Sequence, residues 1–326
     1  MNQLTQDILL GIAAADALGA PVEFQNPTAI DLAEVASNYS QHPNRLTGFG
    51  TWEKPIGTYT DDTAMSLCTA EFLLKTPPHT TRLMEIYAKW LYEGHWTADG
   101  DVFDVGSTTK KAIDNYSRDR DITTCGPKDI RSNGNGALMR ILPILSFAKE
   151  VDSHHLYNIA HKMTTCTHGH DIAVDSSFLY LEVAKQIVHV KHEDKTKYLQ
   201  LLQALVGINS IAHIFTKFWE EDFLMDRLNI QPKGYVVDTL EVAIHSFITT
   251  KSYKEAVLKA ISYGHDTDTN AAITGGLAAI YYGHESIPEE WLTHLKRKDE
   301  IIELAKQVDH IYNQGDFKLE SSCKGH

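Results

Sequence analysis

Two short acidic turns, far apart in the chain, carry the residue types best suited to chemistry. One is Asp266-Thr267-Asp268-Thr269, after Gly264-His265; the other is Thr60-Asp61-Asp62-Thr63. Hard divalent cations such as Mg²⁺ and Mn²⁺ take oxygen ligands, and Mg²⁺ demands near-octahedral geometry from carboxylates, hydroxyls and waters. A D-x-D-T run offers three such oxygens from one turn, too few for two metals, and the other cluster is the natural complement. Each cluster precedes an apolar helical run: Ala271, Ala272, Ile273 and Leu277 in one case, Met65, Leu67, Cys68 and Phe72 in the other. Free amides and the helix dipole at such N-termini hold carboxylates in place. For either cluster alone, simple N-capping is the plainer reading. Two clusters of nearly the same composition shift the balance towards metal.

Further motifs suit an anionic ligand. Ser132-Asn133-Gly134-Asn135-Gly136 leads into Ala137, Leu138, Ile141, Leu142 and Leu145, a helical pattern. Asn-Gly steps can be mere turns, but a Gly-rich turn feeding a helix also presents amides to phosphate. Pro143 predicts a kink or an early end to that helix. Gly106 and Ser107, in Asp104-Val105-Gly106-Ser107, can expose amides and a hydroxyl at another helix start, with plain capping equally compatible. Cys166-Thr167-His168-Gly169-His170 is spaced too tightly for a zinc site and lacks the second thiol pair.

These stretches, in this order, resemble the ADP-ribosylglycohydrolase family, in particular the branch similar to the dinitrogenase-reductase-activating glycohydrolases. The matching segments are Gly11 to Phe24, Thr60 to Thr63, Phe103 to Thr109, Ser132 to Arg140, Thr167-His168, Gly234 to Glu241, and Asp266 to Thr269 with the helix after it. The resemblance implies an all-α, compact multi-helix bundle with a central binuclear metal cleft. Its cofactors would be two divalent cations, Mg²⁺ or Mn²⁺, held by Thr60, Asp61, Asp62, Asp266, Asp268 and Thr269. Such a pair lies roughly 3.5–4 Å apart in two-metal hydrolases. The implied reaction is hydrolysis at C1″ of the bond between ADP-ribose and a protein side chain. Its substrate is an ADP-ribosylated protein and its product ADP-ribose.

By the same resemblance Glu23 enters the site beside the metals, and Asp104 contacts the ribose or the leaving group, as in the arginine-linked branch. Either could activate water or protonate the departing guanidine, and Asp266, which leads its motif, is the better candidate to bridge the cations. Asn133, Gly134, Asn135 and Gly136 are assigned to the diphosphate and adjacent ribose. His168 would line the adenosine side, and Tyr235 would stack on adenine. His265 departs from the small residue usual in relatives, and a ring there could narrow the substrate entrance.

Composition agrees with a soluble enzyme. The chain has 326 residues, 43% hydrophobic and 22% charged, ample for a buried core. A net charge of −13 argues against nucleic acid or an anionic membrane as partner. Cys68, Cys125, Cys166 and Cys323 show no CxxC pair and read as free thiols in a reducing cytoplasm. No signal peptide or membrane-length apolar run is evident.

The elements that must position these residues read as helices. The first starts near Thr5, a candidate N-cap, and ends at Gly19-Ala20-Pro21. Residues 26 to 58 read as an irregular loop that could cover the pocket. Helices are expected over 63–75, on the stripe Leu83, Ile86, Tyr87 and Trp90 (core), and over 175–190, 198–210, 256–262, 269–282, 289–296 and 299–313. His192 to Lys195 reads as a solvated charge run, 221–233 as a loop or short helix, and Gly234-Tyr235 as a helix start. Residues 1–319 are expected to form one domain, with a frayed polar tail over 320–326.

Overall fold

The computed structural model describes residues 3–37, 50–191, 194–207, 214–225 and 229–313. The expected tail, Cys323, residues 192 and 193 of the charge run and residues 38–49 of the long loop lie outside the described residues. So do the last three positions of the helix expected over 198–210. Among the described residues every regular element is a helix, and the β-type pairing consists of an isolated antiparallel bridge between Gly134 and Tyr235. None of these helices is long and apolar enough to cross a membrane.

The chain runs through α1 (Leu4–Gly19), α2 (Leu32–Ser37), α3 (Asp61–Phe72), α4 (Thr80–Glu93) and α5 (Ser107–Asp119). It continues with α6 (Leu145–Ala148), α7 (Ser153–Thr165), α8 (Asp171–His189), α9 (Thr196–Gly207) and α10 (Val236–Ile248). The last four are α11 (Tyr253–Ile261), α12 (Thr267–Tyr282), α13 (Glu289–His294) and α14 (Lys298–Asn313). Cys68, Cys125 and Cys166 are buried free thiols.

Helices α1 and α12 form the axis. Both are rich in small and apolar residues and buried nearly all round, as a helix surrounded by protein must be; every residue of α1 is buried. Their small residues allow contact of backbone on backbone. A Cβ added to Gly11 would lie 2.6 Å from the Gly275 carbonyl oxygen, and one on Gly19 would lie 2.7 Å from Asp268 Cα. Tyr253 Oη donates to the Gly11 carbonyl at 2.7 Å and Tyr180 Oη to that of Ile273 at 2.8 Å, bracing the pair from outside. This crossing sets the C-terminus of α1 against the N-terminus of α12. Helix α4 buries Leu83, Ile86, Tyr87 and Trp90, the core stripe expected from their spacing.

Several local expectations change. Thr5 is not the cap of α1: it lies inside the helix, and Asp309 of α14 accepts its amide at 3.0 Å and its hydroxyl at 2.7 Å. No continuous helix follows Asn135. Residues 136–141 are successive turns, Leu142–Ile144 is a 3-10 turn, and α6 has a single turn, because Pro143 removes a donor and clashes with the preceding turn. Helix α3 stops at Phe72 rather than 75, and α8 starts at Asp171, where the His170 side chain accepts the Ile172 amide. The long loop contains α2, a short helix not foreseen.

Candidate functional site

Construction of the site begins with Asp16, a carboxylate set without exposure in the last turn of an apolar helix. It accepts the amide of Thr60 at 3.0 Å and its hydroxyl at 3.0 Å. From Thr63 it accepts the amide at 3.0 Å and the hydroxyl at 2.6 Å. Four donors on one carboxylate fix the entry of α3, whose N-cap Thr60 also accepts from the Asp62 amide. Asp61 and Asp62 are thereby held in the first helical turn, where free amides favour negative charge. From the other end of the chain, Thr267 Oγ1 donates to the Gly19 carbonyl at 2.8 Å and seats the start of α12 on the end of α1. Thr269 Oγ1 then donates to Asp62 Oδ2 at 3.2 Å, joining the two acidic turns. Asn135 Nδ2 donates to Asp266 Oδ2 at 2.7 Å and to Thr239 Oγ1 at 3.0 Å.

Glu23 leaves the 3-10 turn that follows α1 and is buried, 3% exposed. Trp52 Nε1 donates to Glu23 Oε2 at 2.5 Å, and Thr51 Oγ1 donates to its carbonyl at 2.6 Å. The adjoining Phe24 has φ +63° and donates its amide to the His265 carbonyl at 2.6 Å. His265, φ +61°, returns its own amide to Gln25 at 2.8 Å. Two non-glycine residues in the left-handed region thus face each other between Glu23 and Asp266, a costly arrangement typical of functional loops.

In space the carboxylates regroup. Asp61, Asp62 and Asp104 bring one oxygen each within 4.8 Å of one another, and Glu23, Asp266 and Asp268 do the same. Both oxygens of Asp268 and Oδ1 of Asp62 are buried with no hydrogen-bond donor. Burial, with the neighbouring negative charges, pushes Asp61, Asp62 and Asp268 well above the ordinary carboxylate range. Asp16 and Asp104 rise to about 6, chiefly by burial, and Glu23 to about 9 by burial and then the charge of Asp104. So much buried carboxylate without counter-charge is unfavourable as it stands. Donor-free hard oxygens in two compact groups are the donor set that divalent cations such as Mg²⁺ or Mn²⁺ prefer, so the residues present fit such ions.

Above this floor opens a cleft of about 520 Å³. Glu23, Asp61, Asp104, Asp266 and Thr269 line it together with Gly106, Ser107, Gly134, Asn135, Gly136 and His168. Thr60, Asp62 and Asp268 are buried and lie outside this lining. Asn133 and Tyr235 also do not line the cleft. The Asn133 amide group donates to the Ile130 carbonyl at 3.1 Å, its own carbonyl accepts the Val236 amide at 3.1 Å, and Tyr235 is 38% exposed. The rim carries Phe24, Lys233 and His265.

Asp16, Trp52, Arg140 and Thr239 were not foreseen as parts of the site. A lone acid inside Gly-Ile-Ala-Ala-Ala-Asp-Ala-Leu-Gly is itself a signal, since an unpaired charge in an apolar helix needs partners. Nothing local marks Trp52 or Thr239. Arg140, 2% exposed, could be noticed only as a charge within an apolar run.

Comparison with known proteins places the chain in a family and a fold. The family model described as ADP-ribosylglycohydrolase matches residues 4–316. An ADP-ribosyl-[dinitrogen reductase] glycohydrolase of Rhodospirillum rubrum is 30% identical over 305 residues, covering 93% of each chain. An ADP-ribosylarginine hydrolase Tri1 of Serratia proteamaculans is 27% identical over 310 residues, 95% of this chain and 80% of that one. A solved structure of an ADP-ribosylglycohydrolase-related protein complex superposes with a TM-score of 0.78 at 27% identity, covering 95% of this chain and 98% of that one. With the family pattern matched along nearly its whole length, the chain belongs to the ADP-ribosylglycohydrolase family of hydrolases.

Proposed function

We propose that this protein hydrolyses the N-glycosidic bond at C1″ between ADP-ribose and an arginine side chain of a modified protein, releasing ADP-ribose. The observation that carries this reading is the convergence of six carboxylates beneath one cleft, in two groups of three, with donor-free oxygens on Asp62 and Asp268. When bound, Mg²⁺ or Mn²⁺ ions held by Asp61, Asp62, Asp266 and Asp268, with Thr60 and Thr269 beside them, supply the charge that lets the carboxylates ionise together and make nearby water more acidic. The arginine linkage is supported by Asp104 in the cleft and by the similarity to the Serratia ADP-ribosylarginine hydrolase, and glycohydrolysis of a modified protein by the similarity to the Rhodospirillum glycohydrolase.

The chain's own residues then divide the proton work. Asp104, raised to about 6, is poised to take a proton from the attacking water. Burial and the Asp104 charge hold Glu23 at about 9 without metal, well above Asp104, which makes it the acid of the two and the one to give a proton to the departing guanidine nitrogen. The C1″–N bond breaks as the C1″–O bond forms, and the carboxylates below stabilise the oxocarbenium-like charge between them. Trp52 holds one Glu23 oxygen and so orients the other. Gly106, Ser107 and Gly136 offer neutral donors to the phosphates and His168 one to the adenosine side, while the donors of Asn135 are held by Gly234, Thr239 and Asp266. Tyr235 lies next to Gly234 of the lining, where a modest ring movement would let it cover a base.

The test is incubation with arginine- and serine-ADP-ribosylated peptides, with and without Mn²⁺ or Mg²⁺, followed by mass analysis. Intact ADP-ribose from the arginine peptide, lost on chelation, is expected. AMP as product, or equal turnover in chelator, would replace this reading with a phosphohydrolase or a metal-free mechanism. Preference for serine would move the linkage.

A further inference from the structure

We propose that Arg140 and Thr167 hold His168 as a neutral ring protonated on Nε2, so that one fixed N–H points into the cleft as a donor to the substrate. The binding role rests on the function proposed above; the tautomer does not. Arg140 is buried, its guanidinium lies over the Tyr87 ring at 4.7 Å from the centroid, and Nη1 donates to the Gly136 carbonyl at 2.5 Å. Its Nη2 donates to the Thr167 hydroxyl. A guanidinium has donors and no acceptor, so the Thr167 oxygen must accept from it. The hydroxyl's own proton then needs an acceptor, because Thr167 has no exposure. His168 Nδ1, 2.9 Å away, is the remaining partner of that hydroxyl among the described residues.

Placing the ring proton on Nδ1 instead would aim two N–H groups at one oxygen and orphan the buried hydroxyl proton. The chain of donors therefore runs Arg140 to Thr167 to His168, and the neutral ring carries its proton on the far nitrogen. Burial, followed by the Arg140 charge, also lowers the His168 pKa to about 3, so the ring does not become a cation. Nε2 faces the Gly-rich turn: an added Cβ on Gly136 would lie 3.5 Å from it, and one on Gly134 3.7 Å. It has no partner among the described residues, which leaves its N–H for an acceptor atom of a bound nucleotide.

Nitrogen-15 NMR of the imidazole-labelled full chain at neutral pH reads the tautomer directly, with the His168 signals found by comparison with His168→Asn. A protonated Nε2 and a bare Nδ1 are expected. The opposite pattern, or an imidazolium, would overturn the proposal. Thr167→Val should abolish the preference and raise KM for an ADP-ribosylated peptide about tenfold, with kcat within about a factor of two. Thr167→Ser should restore both. A Val variant that keeps tautomer and KM would sink the relay. A chain that fails to hydrolyse any ADP-ribosylated peptide would defeat the proposed reaction, and the NMR pattern would still decide the tautomer.

Discussion

On the floor of the cleft Asp268 has two buried oxygens that meet no donor, whereas on the wall Arg140, Thr167 and His168 pass hydrogen bonds from one to the next. The floor is charged and electrostatically incomplete; the wall is neutral towards the ligand and internally supported. The contrast separates two ways of preparing a site. Carboxylates crowded without counter-charge destabilise the free protein and acquire their purpose with a cation. Donors already oriented by neighbours need little reorganisation when a ligand arrives.

Asp268→Asn is the sharpest way to probe the contrast. Activity should fall by at least about a thousandfold and metal binding should weaken. In chelator, however, the variant should be more stable by about 1–3 kcal/mol, because a donor-free buried carboxylate is gone. Titration calorimetry with Mn²⁺ and denaturant melts in EDTA check both halves; a destabilised metal-free variant would break the comparison. Next in size, Asp16→Ala should cost about 2–4 kcal/mol by orphaning the amides and hydroxyls of Thr60 and Thr63, and should lower metal affinity as well. Thermal melts of holo and metal-free protein would report it.

Proton linkage gives a third prediction, with opposite signs in the two regions. Glu23, Asp16 and Asp104 hold folded-state values of about 9, 6 and 6, above the ordinary carboxylate values of roughly 4. The folded state keeps protons that the unfolded chain has lost, so metal-free stability should fall as pH rises from about 4 through about 6 and on towards about 9. His168 works the other way. Its folded value of about 3 lies below the usual 6.5, so its contribution is complete above 6.5 and is lost as pH falls towards 3. Melting temperature against pH in EDTA should fall on the alkaline side, Mn²⁺ should flatten that fall, and His168→Asn should lessen the acid-side loss. An alkaline side that is level without metal would remove the account of the floor.

The smallest effect is expected at the rim. His265→Gly relieves a left-handed side chain and should stabilise the protein by about 1 kcal/mol, while easing entry of bulky substrates. Melts, together with KM for peptide against whole-protein substrate, would measure both.

What could be read beforehand follows how local each feature is. The turns at Thr60 to Thr63 and Asp266 to Thr269 announce themselves because nearly the same Asp and Thr composition occurs twice before an apolar run, although either alone would read as a helix cap. The groupings Asp61–Asp62–Asp104 and Glu23–Asp266–Asp268 are not legible in spacing, since they arise from the α1–α12 crossing and from loops that return to it. Asp16, which anchors α3, is carried only within the matching segment Gly11 to Phe24, and Trp52 lies in an irregular stretch read as a loop over the pocket, with no residue of it singled out. The helix expected after Asn135 failed because Pro143 overrides an otherwise good apolar pattern. Tyr235 and Asn133, placed at the ligand by resemblance, do not line the cleft in this structure: Tyr235 is exposed beside it, and Asn133 is tied to Ile130 and Val236.

The hydrogen bonds from the Phe24 amide to the His265 carbonyl and from the His265 amide to the Gln25 carbonyl join segments more than two hundred positions apart, and the Gly11–Gly275 crossing joins the same two ends of the polypeptide. Closure of so long a loop is entropically slow, and the entrance to the cleft cannot exist before it happens. A chain emerging from the ribosome therefore presents Thr60 to Thr63 long before Asp266 to Thr269 can meet it. The two acidic turns can meet only where the final quarter of the polypeptide lies on the first helix.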